Sequence, residues 1–107
     1  MSKRLILANY PNNLENCTVQ DDDYTAKHLD FVWCDTSDAE WTLTLPESPN
    51  DFDWVKIIDY TGSFDDNNLT VARNGSTIMG KDEDLTVDTE NENFMLIAYA
   101  GDWRIYG

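Results

Sequence analysis

The sequence predicts an all-β domain, a small antiparallel sandwich or open barrel preceded by an extended N-terminal arm. Three observations lead there. Glu40-Trp41-Thr42-Leu43-Thr44-Leu45 alternates strictly between polar and apolar residues. Turn-forming residues punctuate the chain at intervals of roughly 8–14 residues, as in small sheet proteins. Nowhere do apolar residues keep the i, i+3, i+4, i+7 spacing over the roughly 11 residues that a helix requires.

Residues 1–35 read as the arm, because short apolar pieces (Leu5 to Ala8, Leu29 to Trp33) are separated by Pro11-Asn12-Asn13 and Gln20-Asp21-Asp22-Asp23. Residues 36–107 read as the β-domain. In its first strand Trp41, Leu43 and Leu45 share one face, and Pro46 and Pro49 end the strand. Trp54-Val55-Lys56-Ile57-Ile58-Asp59 is rich in β-branched residues and is followed by the turn dipeptide Thr61-Gly62. Leu69 to Arg73 and Ser76 to Met79 flank Asn74-Gly75, the pair that best tolerates positive φ at both centres of a type I′ turn, so a hairpin is expected here. Leu85 to Val87 is a short strand and Asn93 to Tyr99 a long, apolar one. Ala100-Gly101-Asp102 then turns the chain into Trp103-Arg104-Ile105-Tyr106.

Charge and composition narrow the function. The 107 residues carry 21 Asp and Glu against 7 Lys and Arg, a net charge of -14, which repels nucleic acid and anionic membranes. At 41% hydrophobic and 12% aromatic the chain is too apolar to remain disordered. No run approaches the roughly 18 apolar residues that span a bilayer, and the apolar start is too short for a signal peptide. Synthesis and assembly in a cytoplasm are therefore expected, with Cys17 and Cys34 as free thiols. The acids are unevenly placed: residues 1–10 contain Lys3 and Arg4 and no acid.

The stretch from Trp41 to Ile105 resembles a β-domain widespread in structural proteins of tailed-bacteriophage virions. The resemblance is carried by Trp41-Thr42-Leu43-Thr44-Leu45-Pro46, by Asp53 to Asp59, and by Asn68 to Gly80. It continues through Asp84-Leu85-Thr86-Val87-Asp88 and Leu96 to Arg104. It implies a terminal domain of fibre, baseplate or head-appendage subunits, which commonly assemble as trimers. Such domains usually follow a long shaft, and this sequence encodes none. The expectation is accordingly a non-enzymatic virion protein, a short capsid-decoration, appendage or adaptor subunit, forming a homotrimer with other virion proteins as partners. A carbohydrate-binding tip of a tail fibre or baseplate is the alternative, and an acidic DNA mimic is a third reading that the alternating aromatic strands disfavour.

Candidate residues follow from these readings. Arg4-Leu5-Ile6-Leu7-Ala8, headed by Lys3, suits a docking arm that adds to a neighbouring sheet edge while Lys3 and Arg4 meet carboxylates, and equally suits an ordinary first strand of the same domain. No cofactor is expected. Were a structural Ca²⁺ or Mg²⁺ bound, Asp65 and Asp66, between Gly62 and Asn67, would be the first candidates to hold it. Trp41 and Trp54 are expected in the core. Trp103 and Tyr106 fall on opposite faces of the last strand, so one of them should meet a ligand or an interface. A nucleophilic pair of His28 and Cys34 is disfavoured, since a polar arm gives little rigidity to hold it.

Overall fold

The computed structural model describes residues 16–107. The expected docking residues Lys3, Arg4, Leu5, Ile6 and Leu7 lie outside the described residues. Among the described residues ten strands build two packed sheets, so the domain is an all-β sandwich. Sheet A has the order β1 (Cys17–Gln20), β3 (Phe31–Cys34), β5 (Trp54–Asp59), β9 (Asn93–Tyr99), β10 (Asp102–Tyr106), β7 (Thr77–Ile78). Sheet B has the order β2 (Tyr24–Thr25), β4 (Trp41–Thr44), β6 (Leu69–Ala72), β8 (Leu85–Val87).

The pairing differs from the antiparallel expectation. Five of the eight strand pairings are parallel: β1 with β3, β3 with β5, β2 with β4, β4 with β6, and β7 with β10. The cause is the path of the chain, because from β1 to β9 each successive strand crosses to the opposite sheet. Short links such as Asp21-Asp22-Asp23, between β1 and β2, carry the chain between layers. Strands two apart then meet in one sheet with the same direction. Antiparallel pairs close the far side, where β9 joins β5 and β10, and β8 joins β6.

The hairpin expected at Asn74-Gly75 does not form, although its turn does. Asn74 and Gly75 have φ of 51° and 90°, and the Ser76 amide donates to the Arg73 carbonyl at 3.2 Å. Both edges of β6 are already occupied by β4 and β8, so the strand after the turn enters sheet A as β7. The true two-residue hairpin joins β9 to β10 through Ala100 and Gly101, with φ of 53° and 80°.

The boundary expected at residue 35 is also displaced. From Cys17 onward the chain enters the same two sheets, and Val32 and Cys34 are fully buried in their shared core. That core joins Val55, Ile57, Leu96 and Trp103 of sheet A to Trp41, Leu43, Leu69 and Val71 of sheet B, with Phe64 from the loop after β5. Removing such apolar surface from water is the main source of stability, at roughly 25 cal/mol per Å². One carboxylate lies inside. Asp59 is buried and accepts the backbone N–H groups of Ser63, Phe64 and Asn91 at 2.9–3.1 Å, tying the loops after β5 and β8 together.

A candidate interaction face on sheet A

Because side chains alternate along a strand, register fixes which residues look outward. On sheet A one outward row runs Cys17, Phe31, Lys56, Met95, Tyr106 across β1, β3, β5, β9 and β10. The next runs Val19, Trp33, Ile58, Asn93, and a third runs Trp54, Ile97, Arg104. This is an apolar, aromatic face on the side away from the core. Its aromatics touch one another: Phe31 and Trp33 have ring centroids 5.4 Å apart, and Trp33 and Tyr60 5.9 Å. The Lys56 ammonium sits 5.2 Å from the Phe31 ring and 5.9 Å from that of Trp54, so its stem packs on the face and its charge finds π-electron partners. Val19 is 61% exposed and Tyr106 66%.

The placement of Trp54 corrects the sequence reading. Trp54 is only partly buried and belongs to the outward set, because Val55, Ile57 and Asp59 take the inward positions of β5. Trp41 is in the core as expected. Phe31 to Cys34 is apolar at every position and carries no alternation from which to place Trp33, whereas on β5 the exposed Lys56, two residues after Trp54, was the one signal that Trp54 faces outward. Trp103 and Tyr106 do fall on opposite faces: Trp103 is fully buried, whereas Tyr106 lies at the outward row's end.

Outward-facing charged groups on the strands of this face are few in a chain of net charge -14: Lys56, Arg104 and Asp102. Asp102 is held in place by the Thr77 hydroxyl at 2.7 Å, the Gly80 amide at 2.9 Å and Arg104 at 3.1 Å. The Thr77 hydrogen bond is the leading reason that its carboxyl titrates below the usual carboxylate range. At the other sheet, the phenol of Tyr24 donates to Asp30 at 2.7 Å, and partial burial, reinforced by that carboxylate, pushes its pKa up to about 12.

The remaining candidates are placed apart. Asp65 and Asp66 are exposed in the turn after β5, and among the described residues no group of three His, Cys, Asp or Glu gathers as a metal would need. Cys34 faces the core, where burial, helped by the Asp59 charge, pushes its thiol far up, opposite to the activation a nucleophile needs. His28 is exposed, and its Nδ1 accepts the Trp54 amide at 3.2 Å, 3.5 Å from Asp53. Cys17 and Cys34 are free thiols.

No protein-family model matches the chain, and no curated protein is similar to it.

Proposed function

We propose that this chain is a non-enzymatic structural protein of a tailed-bacteriophage virion, a short capsid-decoration or appendage subunit. It assembles as a homotrimer in the host cytoplasm by packing the outer face of sheet A against its copies, and it docks on the particle through residues Lys3 to Leu7. The observation that carries the assembly is the continuous outward surface of Phe31, Trp33, Trp54, Met95, Ile97 and Tyr106, in a protein whose acids are otherwise dense. Contiguous apolar surface of this kind marks an interaction site. The attribution to a virion rests on the resemblance of Trp41 to Ile105. Light scattering across a dilution series should give the mass of a trimer, and a monomer at every concentration overturns the assembly. Mass spectrometry of purified particles should find hundreds of copies for a decoration protein or about a dozen for a tail part, and absence from particles overturns the virion attribution.

A carbohydrate-binding role has one observation in its favour. Phe52, held at φ 70°, and Tyr99 are exposed beside each other with ring centroids 5.4 Å apart, a platform on which a sugar ring can stack. Binding on a glycan array that is lost in Tyr99→Ala would favour this role over a purely structural one.

A further inference from the structure

Sheet A has six strands and sheet B four, so the two layers do not cover each other equally. The shortfall lies beyond β8. Among the described residues β8 pairs only with β6, and its other edge presents backbone N–H and C=O groups without a neighbouring strand. Beside that edge is a groove of about 220 Å³ whose lining includes the apolar residues Leu85, Val87, Phe94 and Ile105 and the acidic residues Asp88 and Glu92. Ile105 pairs with Leu96 and so points to the core side of β10, yet it is 40% exposed because no described strand of sheet B lies over it.

The groove asks for a short extended segment with alternate apolar side chains, a free backbone edge and positive charge at one end. The chain holds such a segment. Lys3-Arg4-Leu5-Ile6-Leu7-Ala8 carries two cations, three large aliphatic residues and no acid. We propose that residues Arg4–Ala8 of a second copy add to β8 as a fifth strand of sheet B. Leu5 and Leu7 share one face of an extended segment and enter the groove against Phe94 and Ile105, while Lys3 and Arg4 meet Asp88 and Glu92.

Donation from another copy is favoured by reach. Residue 16 adjoins β1, at the opposite edge of sheet A from the groove. The four strand spacings from β1 to β10 cover about 19 Å, and the step to the other layer adds about 10 Å. Eight residues pulled straight span about 28 Å, which leaves nothing for the turn around the sheet. This inference rests on the reading that copies assemble, uses a different surface from the outer face of sheet A, and makes a neighbouring copy, in place of another virion protein, the partner on which Lys3 to Leu7 dock.

The test uses the full-length chain with Ile105 replaced by photoreactive benzoylphenylalanine, mixed as equal parts unlabelled and ¹⁵N-labelled protein. Irradiation should crosslink position 105 to residues 3–8, with about half the products joining a light chain to a heavy one. Crosslinks confined to chains of one isotope overturn donation between copies, and products elsewhere, or none, overturn the groove as the site. Leu5→Asp with Leu7→Asp should lower the yield at least tenfold and leave the circular-dichroism spectrum of the sheets unchanged. Lys3→Glu with Arg4→Glu should also lower it, and Asp88→Lys with Glu92→Lys should restore it; failure of that rescue overturns the charge pairing. Trimers that persist while these crosslinks are missing sink the donated strand and spare the outer face of sheet A. Trimers and crosslinks that both persist after outer-face substitutions do the reverse.

Discussion

The two outward faces of the sandwich share one core and differ in almost everything else. Sheet B presents Thr25, Thr44 and Ala72 in one row and Thr42, Thr70 and Thr86 in another. Sheet A presents Phe31, Trp33, Trp54, Ile58, Met95, Ile97 and Tyr106. Threonine and the aromatics both favour strands, so β-propensity does not separate the faces. Solvation does. A threonine hydroxyl keeps its hydrogen bonds to water, whereas a row of aromatic rings leaves apolar surface that association removes. The difference teaches that sheet B is finished as a solvent face and sheet A is not.

The largest effect should come from what supports both faces equally. Replacing Asp59 with Ala removes the acceptor of three backbone N–H groups, that of Phe64 buried and those of Ser63 and Asn91 part-buried. With charge-assisted bonds worth ~1.5–3 kcal/mol each, less the cost of burying the charge, the loss should be about 3–5 kcal/mol in a urea titration. A loss below about 1 kcal/mol would show that the loops after β5 and β8 do not depend on this carboxylate.

Converting part of sheet A into a copy of sheet B comes next. Phe31→Thr, Met95→Thr and Tyr106→Thr together change one outward row and touch none of the fully buried core. Association should weaken 100-fold or more, equivalent to about 2.7 kcal/mol, as measured by sedimentation equilibrium. Unchanged association would erase the distinction between the faces.

Acid should act on sheet A more gently. The carboxyl of Asp102 titrates below its ordinary range because of Thr77, Gly80 and Arg104. A folded-state pKa below the unfolded value means that the ionised form stabilises the fold. That contribution is complete above the unfolded pKa of about 3.9 and is lost as pH falls through the folded value. The melting midpoint should therefore drop below about pH 4, and Asp102→Asn should start lower and lose less. Asp35 is depressed in the same direction by Ser37, so some acid sensitivity should remain in that variant. Equal acid sensitivity in both proteins would remove Asp102 as a contributor.

The all-β class and the inward set of sheet B were legible because Trp41, Leu43 and Leu45 alternate with hydroxyls. The parallel winding was not. Its register steps are unequal, 14 residues from Cys17 to Phe31 but 25 from Phe31 to Lys56, and 19 from Tyr24 to Leu43 but 28 from Leu43 to Val71. With no fixed period there is no repeat to detect, and Asn74-Gly75 makes the same local turn whether its flanking strands pair or part. The interaction face escaped for a related reason. Phe31 to Cys34 and Phe94 to Ala98 are apolar at every position, so sequence marks them as strands buried on both sides, and only the two-layer architecture reveals that one side has no described layer over it. The groove beside β8 needed still more, since its lining comes from β8, β9 and β10.

The smallest expected effect tests the comparison from the other direction. Thr42→Val and Thr70→Val keep nearly the same shape and exchange a hydroxyl for a methyl at paired outward positions of β4 and β6. Neither hydroxyl has a hydrogen bond whose loss would leave a buried group unpaired, so stability should change by no more than about 0.5 kcal/mol. Trimer mass and its concentration dependence should also stay as they were, because two methyl groups on a flat face make no contiguous patch to compare with the aromatic rows of sheet A. Weakened trimers would place sheet B inside the interface, contrary to the division drawn between the faces. Larger assemblies would show that its hydroxyls act as a barrier to stacking, which would make the polarity of sheet B as much a determinant of assembly as the aromatic surface of sheet A.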